Sequence, residues 1–126
     1  MRSHKLLPLL SAAFMMTGTG VALAEGDAAA GAKVFLKCKA CHEASEPKNK
    51  VGPTLKGLFG RTAGTVEGYS YSDANKSSGI VWSEDTLKTY LADPKAMVPG
   101  TKMTFPGLKK PEDIDNIIAY LKEATK

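Results

Sequence analysis

The sequence predicts an all-α domain of three to five short helices separated by long loops, and three observations point there. Apolar residues recur at helical spacing in two stretches, Leu87, Tyr90 and Leu91, then Ile114, Ile117, Ile118 and Leu121. No two segments alternate apolar and polar residues in a way that would pair as strands. Between Glu43 and Tyr71, Gly52, Pro53, Gly57, Gly60, Gly64 and Gly68 interrupt any sustained pattern, which marks a long loop, and loops of that length are usually functional.

Taken in order, residues 1–24 stand apart. Arg2, His4 and Lys5 make a basic start, Leu6 to Leu23 is mostly apolar and uncharged, and Ala22-Leu23-Ala24 offers a small-residue cleavage site. This is the pattern of an export signal, so residues 1–24 read as cleaved and 25–126 as the folded domain. The apolar core, broken by Pro8, Gly18 and Gly20, is short for a spanning helix. Asp27 can cap a first helix that starts on Ala28 to Ala30 and runs through Val34, Phe35 and Leu36 towards Cys38. Asp73 to Ser78 reads as a short helix closed by Gly79, after which Ile80-Val81-Trp82 enters the core. Ser83 caps the next helix, with Glu84 and Asp85 in its first turn, and Pro94 ends it. Pro111 suits the first position of a last helix, acidic at its start and with Lys122 and Lys126 at its end, as the helix dipole favours.

Composition narrows the function. The chain has 126 residues with 17 Lys plus Arg against 13 Asp plus Glu, and losing Arg2 and Lys5 with the signal leaves 15 against 13. So mild a charge, without a basic stripe, argues against nucleic acid as partner. The remaining domain has one His, His42, with Cys38, Cys41, Met97 and Met103. A multi-His zinc site is then impossible, and a Ser-His-Asp triad would have to use His42 beside two cysteines. With 7% aromatics, 12 Gly and 7 Pro in the full 126 residues the apolar core looks thin, and a large apolar cofactor would add the missing volume and stabilise the fold by linkage.

Cys38-Lys39-Ala40-Cys41-His42 has the C-x-x-C-H spacing of covalent haem c attachment. Two intervening residues place the sulfurs about one helical turn apart, within reach of two vinyl groups of one porphyrin, and the adjacent His then faces the iron. A Cys38–Cys41 disulfide or a thioredoxin-like redox pair shares the C-x-x-C core, but the strand, crossover and strand of that fold are missing from the pattern. With His42 as fifth ligand and no second His, a methionine is the candidate sixth. Met97 closely follows the end of a helix near Asp93-Pro94, whereas Met103 lies in a restricted extended loop, Pro99 to Pro106, which favours Met103.

With these residues in place, the chain from 25 to 126 resembles the class I cytochromes c, near the mitochondrial protein and the soluble bacterial c-two type. The resemblance covers Gly26-Asp27 with Gly31 and Phe35, the haem motif, Val51-Gly52-Pro53, Gly57 to Arg61, Tyr69 to Lys76, Gly79 to Trp82, Pro99 to Phe105 and Ile117 to Leu121. It implies the small cytochrome c fold wrapped around one covalent haem, with the first and last helices crossing at Gly31 and Phe35 near Ile117 and Tyr120. It further implies that the Pro53 carbonyl accepts the second ring N–H of His42, that Arg61, Tyr71 and Trp82 serve the haem propionates, and that Asn75, Tyr90 and Thr101 form a polar network near the methionine. Thr54 stands where the family often has Asn, Met97 where it often has an aromatic, and the chain is one residue shorter between Phe35 and Cys38.

An iron with both axial positions filled implies a one-electron carrier rather than an enzyme. Lys37, Lys39, Lys95, Lys102, Lys109 and Lys110, with Lys33 and Lys50, cluster in sequence around the haem motif and the methionine loop. Ringed about a haem edge, they would steer acidic partner faces and make association sensitive to salt. The resemblance implies a cytochrome bc-type complex as donor and an oxidase, reductase or photosynthetic reaction centre as acceptor, met by a periplasmic monomer. A haem enzyme or gas-binding protein in which Met103 does not reach the iron is the rival reading.

Overall fold

The computed structural model describes residues 26–126, together with Ala13. The expected signal and its cleavage site otherwise lie outside the described residues. The helices are α1 (Ala28–Val34), α2 (Asp73–Lys76), α3 (Glu84–Ala92), α4 (Pro94–Met97) and α5 (Pro111–Ala124), with a 3-10 turn at Phe35–Lys37 after α1. Among the described residues no helix is long and apolar enough to cross a membrane.

Each helix starts where its sequence provides a cap. The Asp27 carboxylate accepts from the N–H groups of Ala29 and Ala30, and Ser72 accepts from Asn75. Ser83 and Thr86 form a reciprocal capping box, and α5 opens on Pro111. Two boundaries differ from the sequence reading. The first helix tightens into a 3-10 turn at Phe35, leaving Leu36 exposed and setting Cys38 at its end, with the Cys38 N–H on the Phe35 carbonyl. Pro94 ends α3 and also begins α4, because Asp93 accepts from the Ala96 N–H and caps the new turn, so Met97 is helical.

The frame of the molecule is the crossing of α1 and α5. Gly31 makes it possible: a Cβ there would lie 2.0 Å from the Asn116 carbonyl oxygen, so any side chain would force the helices apart. The helix tolerates the ~1 kcal/mol that glycine costs relative to alanine in return for this approach. Phe35 packs on Tyr120 with ring centroids 5.2 Å apart, and Asn116 Oδ1 accepts from the Asp27 N–H at 2.8 Å. Ile114, Ile117, Ile118 and Leu121, the stripe read from the sequence, are all buried, together with Leu87, Tyr90 and Leu91 of α3. Lys122 of α5 pairs with Glu84 of α3.

Residues 43–71 hold no helix, as expected. One isolated antiparallel bridge, Thr62 to Val81, was not foreseen; it directs Trp82 into the core, 7% exposed, and leaves Val81 outside at 49% instead of entering the core with its neighbours. Thr54 is buried, its hydroxyl donating to the Glu46 carbonyl and its N–H to Asn49 Oδ1, so this loop closes without the family's usual Asn. Met97 is half-buried and packs against the core.

Candidate haem-binding site

The motif is delivered by the 3-10 turn and continues as a tight turn, with the Cys41 and His42 N–H groups both on the Cys38 carbonyl, at 3.1 and 2.9 Å. Cys38 and Cys41 are unbridged, half-buried thiols. Burial, then the neighbouring Cys41, pushes the Cys38 pKa up, with Lys37 opposing, which disfavours a free reactive thiolate. Among the described residues no three His, Cys, Asp or Glu gather as a metal-binding cluster.

His42 is fixed by main chain. Its Nδ1 donates to the Pro53 carbonyl at 2.8 Å, which leaves Nε2 as the nitrogen with a lone pair to offer. Gly52 lies against the ring: a Cβ there would sit 2.3 Å from Cε1. The Gly52 N–H in turn donates to the Cys41 carbonyl at 2.7 Å, so the segment 51–53 is stitched to the motif. Burial first, then Arg61 and Lys50, lowers the imidazole pKa, with the Pro53 bond opposing, so the neutral ring that a metal ligand must be is favoured.

Met103 is held by side chains. The Tyr90 hydroxyl donates to its Sδ at 3.0 Å, and its N–H donates to Thr101 Oγ1 at 3.2 Å. Burial raises the Tyr90 phenol to about 12, with a hydrogen bond from Thr101 partly offsetting this. Trp82 packs on Tyr90, centroids 4.7 Å apart. Tyr90, Thr101, Met103 and Trp82 thus form one contiguous set. Asn75 shares no hydrogen bond with it, and its Oδ1 is buried with no partner.

Arg61 and Tyr71 lie elsewhere in the 54–71 loop. The guanidinium donates to the Thr54 and Lys56 carbonyls, both at 3.0 Å, and burial lowers its pKa. The Tyr71 hydroxyl accepts from the Val66 N–H at 3.0 Å, and burial raises its pKa while Arg61 opposes. Both brace this loop through its own backbone. Sequence reasoning assigned no role to Gly52, whose part shows only once the His42 ring is placed. It also missed Tyr69, whose hydroxyl donates to the Val51 carbonyl at 2.7 Å, and Asn49, which ties Thr54 to the Glu67 carbonyl.

The donor set of two thiols, one imidazole with its other nitrogen engaged, and one thioether fits a covalently attached haem. So do Leu55, Ala74, Ile80 and Phe105, apolar side chains packed on the core yet only half-buried. The sequence matches the Cytochrome c family over residues 28–125. The chain belongs to the cytochrome c family. It is 59% identical over 102 residues to cytochrome c-550 of Nitrobacter winogradskyi, covering 80% of this chain and 94% of that one. It is 50% identical over 111 residues to cytochrome c2 of Blastochloris viridis, with 87% of each chain covered. The fold superposes on cytochrome cH from Methylobacterium extorquens with a TM-score of 0.73 at 59% identity, covering 77% of this chain and 98% of the other. Membership of the cytochrome c family makes the cofactor a covalently attached haem c and the role that of an electron carrier.

Proposed function

We propose that the chain is a soluble, periplasmic one-electron carrier, released by cleavage after Ala24, that takes electrons from a cytochrome bc-type complex and passes them to an oxidase, reductase or photosynthetic reaction centre. The pairing of His42, with Nδ1 committed to the Pro53 carbonyl, and Met103, with Sδ under the Tyr90 hydroxyl, carries this reading. In it Cys38 and Cys41 would hold the haem through thioether bonds, and His42 Nε2 and Met103 Sδ would ligate its iron. Bound there, the haem iron supplies a ferric–ferrous couple that a thioether ligand and an apolar setting bias towards the ferrous form. The work of the polypeptide is to orient the two donors and keep them in place in both states. Pro53 fixes the imidazole tautomer, and Tyr90 and Thr101 hold the methionine. No side chain is assigned a proton-transfer role, which sets this reading apart from a haem enzyme.

Lys37, Lys39, Lys95, Lys102, Lys109 and Lys110 are all exposed, which supports a cationic docking face towards acidic partners. The test is the visible spectrum of the purified oxidised and reduced protein. A c-type spectrum with the weak long-wavelength sulfur-to-iron band in the ferric form, lost in Met103→Ala and kept in Met97→Ala, is the expected result. A haem spectrum without that band in the unmodified protein would indicate an open-site enzyme or sensor instead.

A further inference from the structure

We infer that Lys50 is a positioning residue for the haem motif: its side chain clamps the 50–52 turn onto the segment from Cys38 to His42 and fixes a positive charge on the His42 side that favours the ferrous state. The inference rests on the reading of Cys38, Cys41 and His42 as the residues that hold the haem.

Apolar packing does little to hold the turn that seats His42. Val51 at its tip is 74% exposed, so the shape of the turn depends on polar bonds. The Lys50 N–H donates to the Gly52 carbonyl at 2.9 Å and closes the turn on itself, while the Gly52 N–H donates to the Cys41 carbonyl at 2.7 Å. A second tie to the motif comes from the lysine side chain, whose Nζ donates to the Lys39 carbonyl at 2.8 Å. Among the described residues that carbonyl receives no main-chain N–H. On the opposite side the Tyr69 hydroxyl holds the Val51 carbonyl. Lys50 thus shapes the turn through its backbone and, through a charge-assisted bond, ties it to the middle of the C-x-x-C-H pentapeptide.

The clamp also fixes a charge in place. Among the described residues no carboxylate pairs with Lys50, so its ammonium is held by a neutral carbonyl and keeps its full charge. That charge is felt at the imidazole: burial is the chief cause of the lowered His42 pKa, and Arg61 and Lys50 both add to it against the Pro53 bond. The same field acts on a positive charge placed beyond the ring. A ferric haem carries one more positive charge than a ferrous one, so an ammonium fixed there favours reduction. Lys48 provides the contrast. It is exposed and its ammonium makes no hydrogen bond or ion pair with the described residues, so its charge is not fixed and is screened by salt.

Potentiometric titration of the holoprotein, followed by its visible spectrum, is the experiment. Lys50→Met is expected to lower the equilibrium constant for one-electron reduction about three-fold, which is about 28 mV at about 59 mV per tenfold. Lys50→Arg keeps the charge and a donor and should stay near the unmodified protein. Lys48→Met removes the same formal charge two residues away and should change the constant by less than about 1.5-fold. In Lys50→Met, hydrogen exchange of the Gly52 amide should also accelerate about three-fold, because the turn has lost its tie to Lys39. A reduction constant in Lys50→Met within about 1.5-fold of the unmodified protein, an equal fall in Lys48→Met or in Lys50→Arg, or unchanged exchange at Gly52 would each overturn the clamp. A protein purified without a c-type haem spectrum would instead overturn the reading of Cys38, Cys41 and His42.

Discussion

The His42 side and the Met103 side present their donors by different means. His42 is fixed by backbone: it is contiguous with Cys41, its ring rests on Gly52, and its Nδ1 bonds the Pro53 carbonyl. Met103 lies on a loop whose main chain is free of main-chain bonds from 102 to 107, and is held by Tyr90 and Thr101, while its neighbour Lys102 donates to the Ser70 carbonyl. Backbone restraint is not easily edited by substitution, whereas side-chain restraint is tuned one residue at a time. The first suits a donor that must never leave, and the second a donor whose strength and exchange rate are adjusted.

The sharpest way to break this contrast is Gly52→Ala, which puts a methyl carbon 2.3 Å from His42 Cε1 and should force the ring off Pro53. It is expected to cost about 3 kcal/mol, read as the guanidinium midpoint, as overpacking against a fixed group does. A midpoint within ~0.5 kcal/mol of the unmodified protein would mean that the His side is as adjustable as the Met side.

Next comes pH, where the two sides should fail at opposite ends. The folded-state pKa of His42 lies below its ordinary 6.5 before any iron is bound, and ligation would hold it lower still, so its contribution is full above pH 6.5 and is lost as pH falls through the lowered folded value. The Tyr90 phenol is raised from 10.0 to about 12, so its contribution is full below pH 10 and is lost as pH rises from 10 to 12, by up to roughly 3 kcal/mol. Unfolding free energies across both ranges should show both losses, and Tyr90→Phe should remove the alkaline one alone.

Arg61→Lys removes the two-armed grip on the Thr54 and Lys56 carbonyls and should cost ~1–2 kcal/mol in the same assay, without altering the long-wavelength band. The smallest effect expected is on reduction potential in Tyr90→Phe. Loss of the hydroxyl from Met103 Sδ makes the sulfur a better donor and favours the ferric form, lowering the potential by about 40 mV for ~1 kcal/mol. An unchanged potential would show that the Tyr90 bond steers the methionine without tuning it.

The helices were legible because their signals are local. Asp27, Ser83 and Pro111 mark starts, and the Ile114 to Leu121 stripe announces the buried face of α5. The cysteine–histidine motif was legible because its spacing is itself the chemistry. Gly31 was readable as an odd glycine inside a helix that only a close crossing explains. By contrast, the dual role of Pro94 depends on Asp93 turning to cap, and the exposure of Val81 depends on a bridge to Thr62, neither of which leaves a periodic trace. The contacts of Tyr69 with Val51 and Lys102 were invisible for a similar reason: three segments far apart in sequence meet at one ring, and no spacing rule records that.

The crossing of α1 with α5 also governs when the fold can close. Asp27 and Asn116 bond across 89 positions, and α1, at seven residues, is too short to persist alone in water. A contact of such separation requires the chain between its partners to be closed into a loop at an entropic cost. α1 therefore depends on α5 to persist, and the last helix acts as the latch on the segment that leads into Cys38 to His42.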